Sequence, residues 1–243
     1  MRAWLCSICL VLAVSANAQQ DSIRTGRSRW RIGATASLDR CYRTLSATEE
    51  DAYLPSLIAL RDEREKPLIR CSPTLYAMRD VGRHLRLSAG VAYFTEGYYT
   101  EDDGPWIAID PVASDPAISD VTFRTFSIFR YLALPIMVTY EIGGGPWKPF
   151  GALGVAPELL LEARYVTELE QFANTRRKEN TVDGYRNVGL TACGQLGIGH
   201  AVSERFVLSL AATGRYGVLD IIDAPITARL WSVGGQLGIS YRL

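Results

Sequence analysis

Histidine is scarce here: the 243 residues contain two, with three methionines. His84 and His200 stand far apart, so no H-E-x-x-H helix is encoded, and no G-x-S-x-G elbow occurs. The cysteines show no clustered Cys/His spacing of the kind a metal site requires. Charge of one sign is also lacking, with 26 Lys+Arg against 26 Asp+Glu. That balance removes both the basic surplus of a nucleic-acid binder and the acidic tail of a cation store. Past the N-terminus no run of 18 apolar residues occurs, which excludes a transmembrane helix. Gly143-Gly144-Gly145-Pro146 lacks the Lys and Ser/Thr of a phosphate loop and reads as a tight turn. No cofactor and no enzymatic activity are expected on these grounds.

What is present begins with an export signal. Arg2 gives a short positive region, Leu5 to Val14 an apolar stretch, and Ala16-Asn17-Ala18 a small-x-small cleavage site before Gln19. The apolar stretch is shorter than the ~20 residues of a spanning helix. We therefore expect a cleaved signal peptide at 1–18, a short periplasmic segment at 19–28, and one domain at 29–243. Cys6 and Cys9 leave with the signal; Cys41, Cys71 and Cys193 remain.

The dominant signal afterwards is period two. In the C-terminal segment Trp231, Val233, Gly235, Leu237, Ile239, Tyr241 and Leu243 share one face. Ser232, Gly234, Gln236, Gly238, Ser240 and Arg242 share the other. The same alternation recurs from Trp30 to Asp39, Leu85 to Glu96, Tyr131 to Ile142, Trp147 to Tyr165, Asn187 to Ile198 and Phe206 to Val218. An eighth strand falls at Pro73 to Val81, where the two faces differ least.

Three connections are short: Gly82 to His84, Gly143 to Trp147 and Ser203 to Arg205. Four are long, at about 42–72, 97–121, 167–185 and 219–228. Long and short alternate, so an even-stranded barrel puts every short turn on one side and every long loop on the other. The polar faces carry Arg31, Asp39, Arg86, Glu96, Glu141, Arg215 and Arg242, beside Gln195 and Gln236. Unpaired charge in an apolar soluble core costs several kcal/mol per ion. Placing this set in a lumen and the apolar set in lipid removes that cost. Trp30, Trp147, Trp231, Tyr140 and Tyr241 lie near strand ends, where interfacial aromatics belong. The expected fold is all-β: an eight-stranded antiparallel up-and-down transmembrane β-barrel of the bacterial outer membrane, with short periplasmic turns and long extracellular loops.

Tyr131-Leu132-Ala133-Leu134-Pro135, then Tyr140, then Pro149-Phe150-Gly151-Ala152-Leu153-Gly154 resemble the outer-membrane barrel family common in Bacteroidetes, which includes PorT-like proteins. That resemblance implies a fold, and by analogy an accessory role in an outer-membrane secretion or uptake machine. Gln236, Gly238, Tyr241 and Leu243 resemble the final-strand signal read by the barrel-assembly machinery. Leu243 departs from the commoner terminal Phe.

Several finer expectations follow. Cys41 and Cys71 flank the first long loop at neighbouring strand ends, predicting a disulfide worth roughly 3 kcal/mol by loop closure. Cys193 is expected to face the lumen as a thiol. Thr48-Glu49-Glu50-Asp51 before Leu54, Leu57, Ile58 and Leu60 predicts a short capped helix. His200 lies near a strand end on the outward face, the one position that could serve a lipid-modifying enzyme; an interfacial polar residue is the plainer reading. Expected partners are outer-membrane lipid, the assembly machinery during biogenesis, and an extracellular or envelope protein met by the loops. The function expected is a non-catalytic barrel with a side-chain-filled lumen, structural, adhesive or accessory.

Overall fold

The computed structural model describes residues 30–47, 53–104, 121–143, 145–169, 176–180, 184–222 and 224–243. The expected signal peptide and the segment 19–28 lie outside these residues. Segments with one large apolar face and one small or polar face separate those faces only when extended, because successive side chains then point opposite ways. They form β1 (Trp30–Ala47), β2 (Glu65–Asp80), β3 (Leu85–Gly104), β4 (Val121–Ala133) and β5 (Ile136–Glu141). After these come β6 (Trp147–Leu169), β7 (Arg176–Asn180), β8 (Val188–Ala201), β9 (Phe206–Gly217) and β10 (Ile226–Arg242). The helix α1 (Leu54–Arg64) lies between β1 and β2.

The sheet closes on itself. β1 pairs with β2 on one side and with β10 on the other, both antiparallel. The closing seam runs without a register break from Arg31 opposite Arg242 to Ala47 opposite Ile226. β4 and β5 are one barrel strand interrupted at Leu134-Pro135. β3 meets both in a single register, pairing Ala92 with Ala133 and Ala89 with Ile136. Pro135 has no N–H to give, yet its carbonyl still accepts from Gly90 N–H at 3.0 Å. β7 pairs with β6 alone and extends the third long hairpin outside the ring. The ring therefore has eight strands, as the alternation of loops requires.

The two faces are inverted relative to a water-soluble protein. Leu153, Leu196 and Leu75 are about 74, 73 and 68 % exposed, while Arg31, Asp39, Arg43, Glu96 and Arg215 are buried. Burying charge while exposing leucine is favourable only when the surroundings are hydrocarbon and the interior is polar.

The strands outrun the sequence boundaries. β1 reaches Ala47 and β2 starts at Glu65, so the loop expected over 42–72 contracts to residues 48–64. β3 and β4 likewise extend to Gly104 and from Val121, β6 reaches Leu169, and β10 begins at Ile226. Above the membrane the outward face meets water and need not be apolar, so the ladder continues where the apolar period has stopped. The helix is present, but its start differs from the expected cap. It begins at Leu54 after Tyr53, with a proline in the first turn and no side-chain cap; Thr48 to Asp51 lie outside the described residues. A further correction concerns β6. Arg130 pairs with Glu162 but Tyr131 with Leu160, so Leu161 is an extra residue. Strict alternation from Trp147 to Tyr165 would put Glu162 and Arg164 on the same polar face as Glu158; the bulge turns them to the outward face and puts Ala163 inside.

A second irregularity, between Pro67 and Thr74 of β2, shifts the β2–β3 register. Gly97 of β3 sits there at φ +155°, and a Cβ would lie 2.1 Å from the Ser127 carbonyl oxygen. Gly97→Ala should destabilise the barrel by roughly 2 kcal/mol. The measurement is the temperature at which the compact, fast-migrating gel band is lost, and an unchanged midpoint would mean that the bulge accommodates a side chain.

Candidate functional site

The lumen is the place where polar chemistry is concentrated, and it is built in layers from inward-pointing positions of every barrel strand. Nearest the short turns, Arg86 Nε donates to Asp80 Oδ1 at 2.8 Å and also pairs with Glu141. Arg31 reaches the same Asp80 at 3.3 Å. Above these lies a cavity of about 120 Å³ whose lining includes Thr35, Tyr76, Met137, Ser209 and Thr213. Gln195 and Gln236 also line it, and Gln195 Nε2 donates to Gln236 Oε1 at 3.0 Å. This space admits several water molecules and no large solute.

The middle layer centres on Arg215 of β9. Its Nη2 donates to Asp39 Oδ2 at 3.0 Å and to Ser72 Oγ at 3.3 Å. Nε donates to Ser232 Oγ at 3.0 Å and lies in ion-pair range of Glu96, 3.3 Å away. The guanidinium also stacks 4.1 Å from the centre of the Phe94 ring. One side chain thus ties β9 to β1, β2, β3 and β10. Ser37 Oγ donates to Asp39 Oδ2 at 2.5 Å, holding the carboxylate in place. On the far wall Thr191 Oγ1 donates to Glu158 at 2.6 Å.

Towards the long loops the filling becomes aromatic. Phe94, Tyr98, Phe129 and Tyr131 are buried with Leu160 and Leu230, and Tyr185 packs on Phe129 at 5.2 Å. Arg43 lies on top, its guanidinium 5.2 Å from the Tyr98 ring centre. It pairs with Glu65 and, at 3.2 Å, with Asp62 of α1. Arg61 of α1 binds the same Glu65 at 2.8 Å. The helix is thereby tethered over the outer mouth. Outside the lumen, Glu101 of β3 binds Lys66 of β2 and, at 2.8 Å, Arg124 of β4, stapling the extended hairpins to each other. These two donors hold the Glu101 carboxyl below the usual carboxylate range.

Arg31, Asp39, Arg86, Glu96, Glu141 and Arg215, selected by alternation, all lie in the lumen and fall into the lower and middle layers. Arg242 stands opposite Arg31 at the short-turn end. Arg43 and Glu65 were missed because the residues around them read as loop, though the period through Asp39, Cys41 and Arg43 carried the signal; Asp80 was missed because it falls in the expected strand Pro73 to Val81, whose two faces differ least. Among the final-strand residues, Gln236 faces the lumen. Gly238 is also inward, where a Cβ would meet Ser209 Oγ at 2.5 Å. Tyr241 accepts from Arg205 at 2.9 Å on the outside, and Leu243 is exposed.

The disulfide expectation does not survive. Cys71 stands opposite Leu38, three residues from Cys41, so the two cysteines fall on opposite faces of the sheet. Cys41 is buried in the lumen, Cys71 is exposed outside, and both are free thiols, as is the buried Cys193. His200 is outward, stacked on Trp147 with ring centres 4.0 Å apart. His84 bonds the Glu141 carbonyl in its turn. Among the described residues no three His, Cys, Asp or Glu side chains converge as metal ligands.

Residues 17–223 match the family model described as outer membrane protein beta-barrel domain. The chain belongs to that family. It is an outer-membrane β-barrel, and its place is the bacterial outer membrane. No curated protein matches it. Among solved structures, Neisserial surface protein A is similar at 13 % identity and TM-score 0.45, over 90 % of this chain and 100 % of that one. OprG from Pseudomonas aeruginosa is similar at 11 % identity and TM-score 0.46, over 89 % and 97 %. Ail of Yersinia pestis is similar at 10 % identity and TM-score 0.36, over 88 % and 99 %. Likeness at this distance assigns no activity to the barrel.

Removing one member of a buried ionic cluster leaves its partners uncompensated, at a cost of about 3–5 kcal/mol. Arg215→Ala should therefore lower the barrel's unfolding free energy by that amount, measured by denaturant titration of the refolded protein in detergent. A loss under ~1 kcal/mol would show that Asp39 and Glu96 are satisfied without it. For the thiols, alkylation in denaturant without reductant should label Cys41, Cys71 and Cys193 all together. Recovery of an unlabelled Cys41–Cys71 pair by mass spectrometry would reverse the assignment of faces.

Proposed function

We propose that this chain is a closed, non-catalytic barrel that passes no large solute and acts through its extracellular ends, in a structural, adhesive or accessory role. The observation that carries the proposal is the Arg215 cluster together with the aromatic layer above it. Salt bridges from one guanidinium to β1 and β3, with hydroxyl contacts to β2 and β10, occupy the cross-section. An eight-stranded barrel is only wide enough for its own side chains, and here those side chains are large and interlocked. The enzymatic alternative rests on His200, whose ring packs on Trp147 and whose Nδ1 has no hydrogen-bond partner among the described residues; a general base needs such an orienting partner.

The resemblance to PorT-like barrels supports an accessory role beside a larger envelope machine. The Gln236, Gly238, Tyr241 and Leu243 pattern supports delivery by the barrel-assembly machinery after removal of residues 1–18. The hairpins that rise beyond the membrane, stapled by Glu101, are the surface on which a protein partner would be met.

Planar-bilayer recording tests the closed lumen. The refolded protein should show no stable large conductance, and Arg215→Ala combined with Phe94→Ala should introduce one by emptying the cross-section. A stable, large open state in the unaltered protein would refute the proposal.

A further inference from the structure

The outward surface has two boundaries. At the short-turn end Trp30, Tyr140, Trp147 and Phe206 are exposed, and Tyr241 packs beside Phe206 at 5.0 Å. Arg79 covers the Trp30 ring at 5.5 Å. At the other end Tyr42 meets Trp231 edge-on, 5.9 Å between ring centres. Trp231 stands opposite Tyr216 of β9. Between these belts the outward positions are apolar, as lipid requires.

Charges at the outer belt are mostly neutralised. Arg130 and Arg164 share Glu162, and Arg229 binds Asp220 at 2.8 Å. Arg40 is different. It is exposed on the outward face of β1, and the described residues give it no hydrogen bond or ion pair. Its register partners are Val233 on β10 and Ile69 on β2. These, and Leu38 on its own strand, are 50, 62 and 62 % exposed. Tyr42 follows it on the same face.

Arg40 lies ten residues beyond Trp30. At about 3.4 Å per residue and a strand tilt of about 40°, that is roughly 25 Å along the barrel axis, the height of the apolar band. A lone guanidinium there has hydrocarbon on its lower side and the headgroup layer on its upper side. Solvation by apolar neighbours is unavailable, so the long side chain must extend to the headgroups. The chemical group that suits a planar fork of N–H donors in that layer is a phosphate.

We propose that Arg40, with Tyr42 and Trp231 beside it, forms a docking patch for the phosphate of an anionic lipid in the outer leaflet. The aromatic pair supplies the apolar wall on which the lipid's upper acyl segment rests, and Arg40 supplies the charge. The site lies on the outside of the barrel and is independent of whether the lumen conducts.

The test uses the refolded protein in phosphatidylcholine vesicles and in the same vesicles containing phosphatidylglycerol. The readout is the temperature at which the compact gel band is lost, together with native mass spectrometry of retained lipid. The wild type should gain roughly 2–4 °C from the phosphorylated lipid and carry one such lipid into the gas phase. Arg40→Gln should be at least as stable as wild type in pure phosphatidylcholine, yet lose both the gain and the retained lipid; Arg40→Lys should keep most of the gain. An equal gain in Arg40→Gln would overturn the proposal. So would an equal gain from inorganic phosphate added to phosphatidylcholine vesicles, because that would make the ligand a free anion and not a headgroup.

Discussion

A backbone amide in hydrocarbon has no water to turn to, and that constraint governs everything else in this barrel. Each N–H and C=O of the spanning segments must find a partner within the protein, so the sheet must have no edge. The seam between β1 and β10 meets that demand along its whole length, since no bulge interrupts it. Irregularities are confined to places where the ladder can absorb them. Pro135 interrupts the β4–β5 strand, but Gly90 N–H and Leu134 N–H find carbonyls at 3.0 and 2.9 Å across the gap. The extra residue at Leu161 sits near the outer belt, where side chains begin to meet headgroups and water.

Closure in turn dictates the interior. A ring of eight strands has an inside that must be filled by its own side chains, and lipid already claims the apolar face. Large apolar residues on both faces would let a strand slip by one residue at little cost, because neither face would be specified. Charged and hydroxyl residues inside remove that ambiguity: a one-residue slip of β9 would put Arg215 in lipid and Leu210 in the lumen. The ionic layers are thus better understood as fixing register than as a large source of stability, since a buried ion pair gains little over an apolar replacement while a broken one costs much. Arg215 reaches residues on β1, β2, β3 and β10, so its network checks several registers at once.

Most of the ring was legible in the sequence because period two is imposed by the same lipid that imposes the fold. Trp30, Ile32, Ala34 and Leu38 against Arg31, Gly33, Thr35 and Asp39 could hardly be arranged otherwise. The lumen charges followed from that alternation. What stayed hidden has physical causes. Beyond the membrane the outward face no longer has to be apolar, so β1, β2, β3 and β10 continue without an alternating apolar signature, and the buried Arg43 and Glu65 disappeared into apparent loop. The bulge at Leu161 inverts parity for Glu162 and Arg164, and nothing in an alternating pattern marks one inserted residue. Cys41 and Cys71 looked adjacent because both flank a loop; their opposite faces follow only from the β1–β2 register, in which Leu38 meets Cys71. Helix α1 starts after Tyr53 and not at an acidic cap, because tethering by Arg61 and Asp62 to Glu65 and Arg43 sets its position from its C-terminal end.

A lumen closed by these layers moves the question of function to the outer surface, and there the inside-out pattern gives a direct criterion. On the lipid face any charge has to be explained, since alternation would otherwise have removed it. Arg130 and Arg164 have Glu162, and Arg229 has Asp220. At the far end of β3, Glu101 has Lys66 and Arg124. These pairs balance within the chain and so call for nothing from outside. Among the described residues nothing balances Arg40, and it stands where the band of exposed leucine, isoleucine and valine gives way to Tyr42 and Trp231. A charge that the described residues leave uncompensated at the edge of the membrane band is one that the surroundings are placed to compensate, and the surroundings at that height are lipid headgroups.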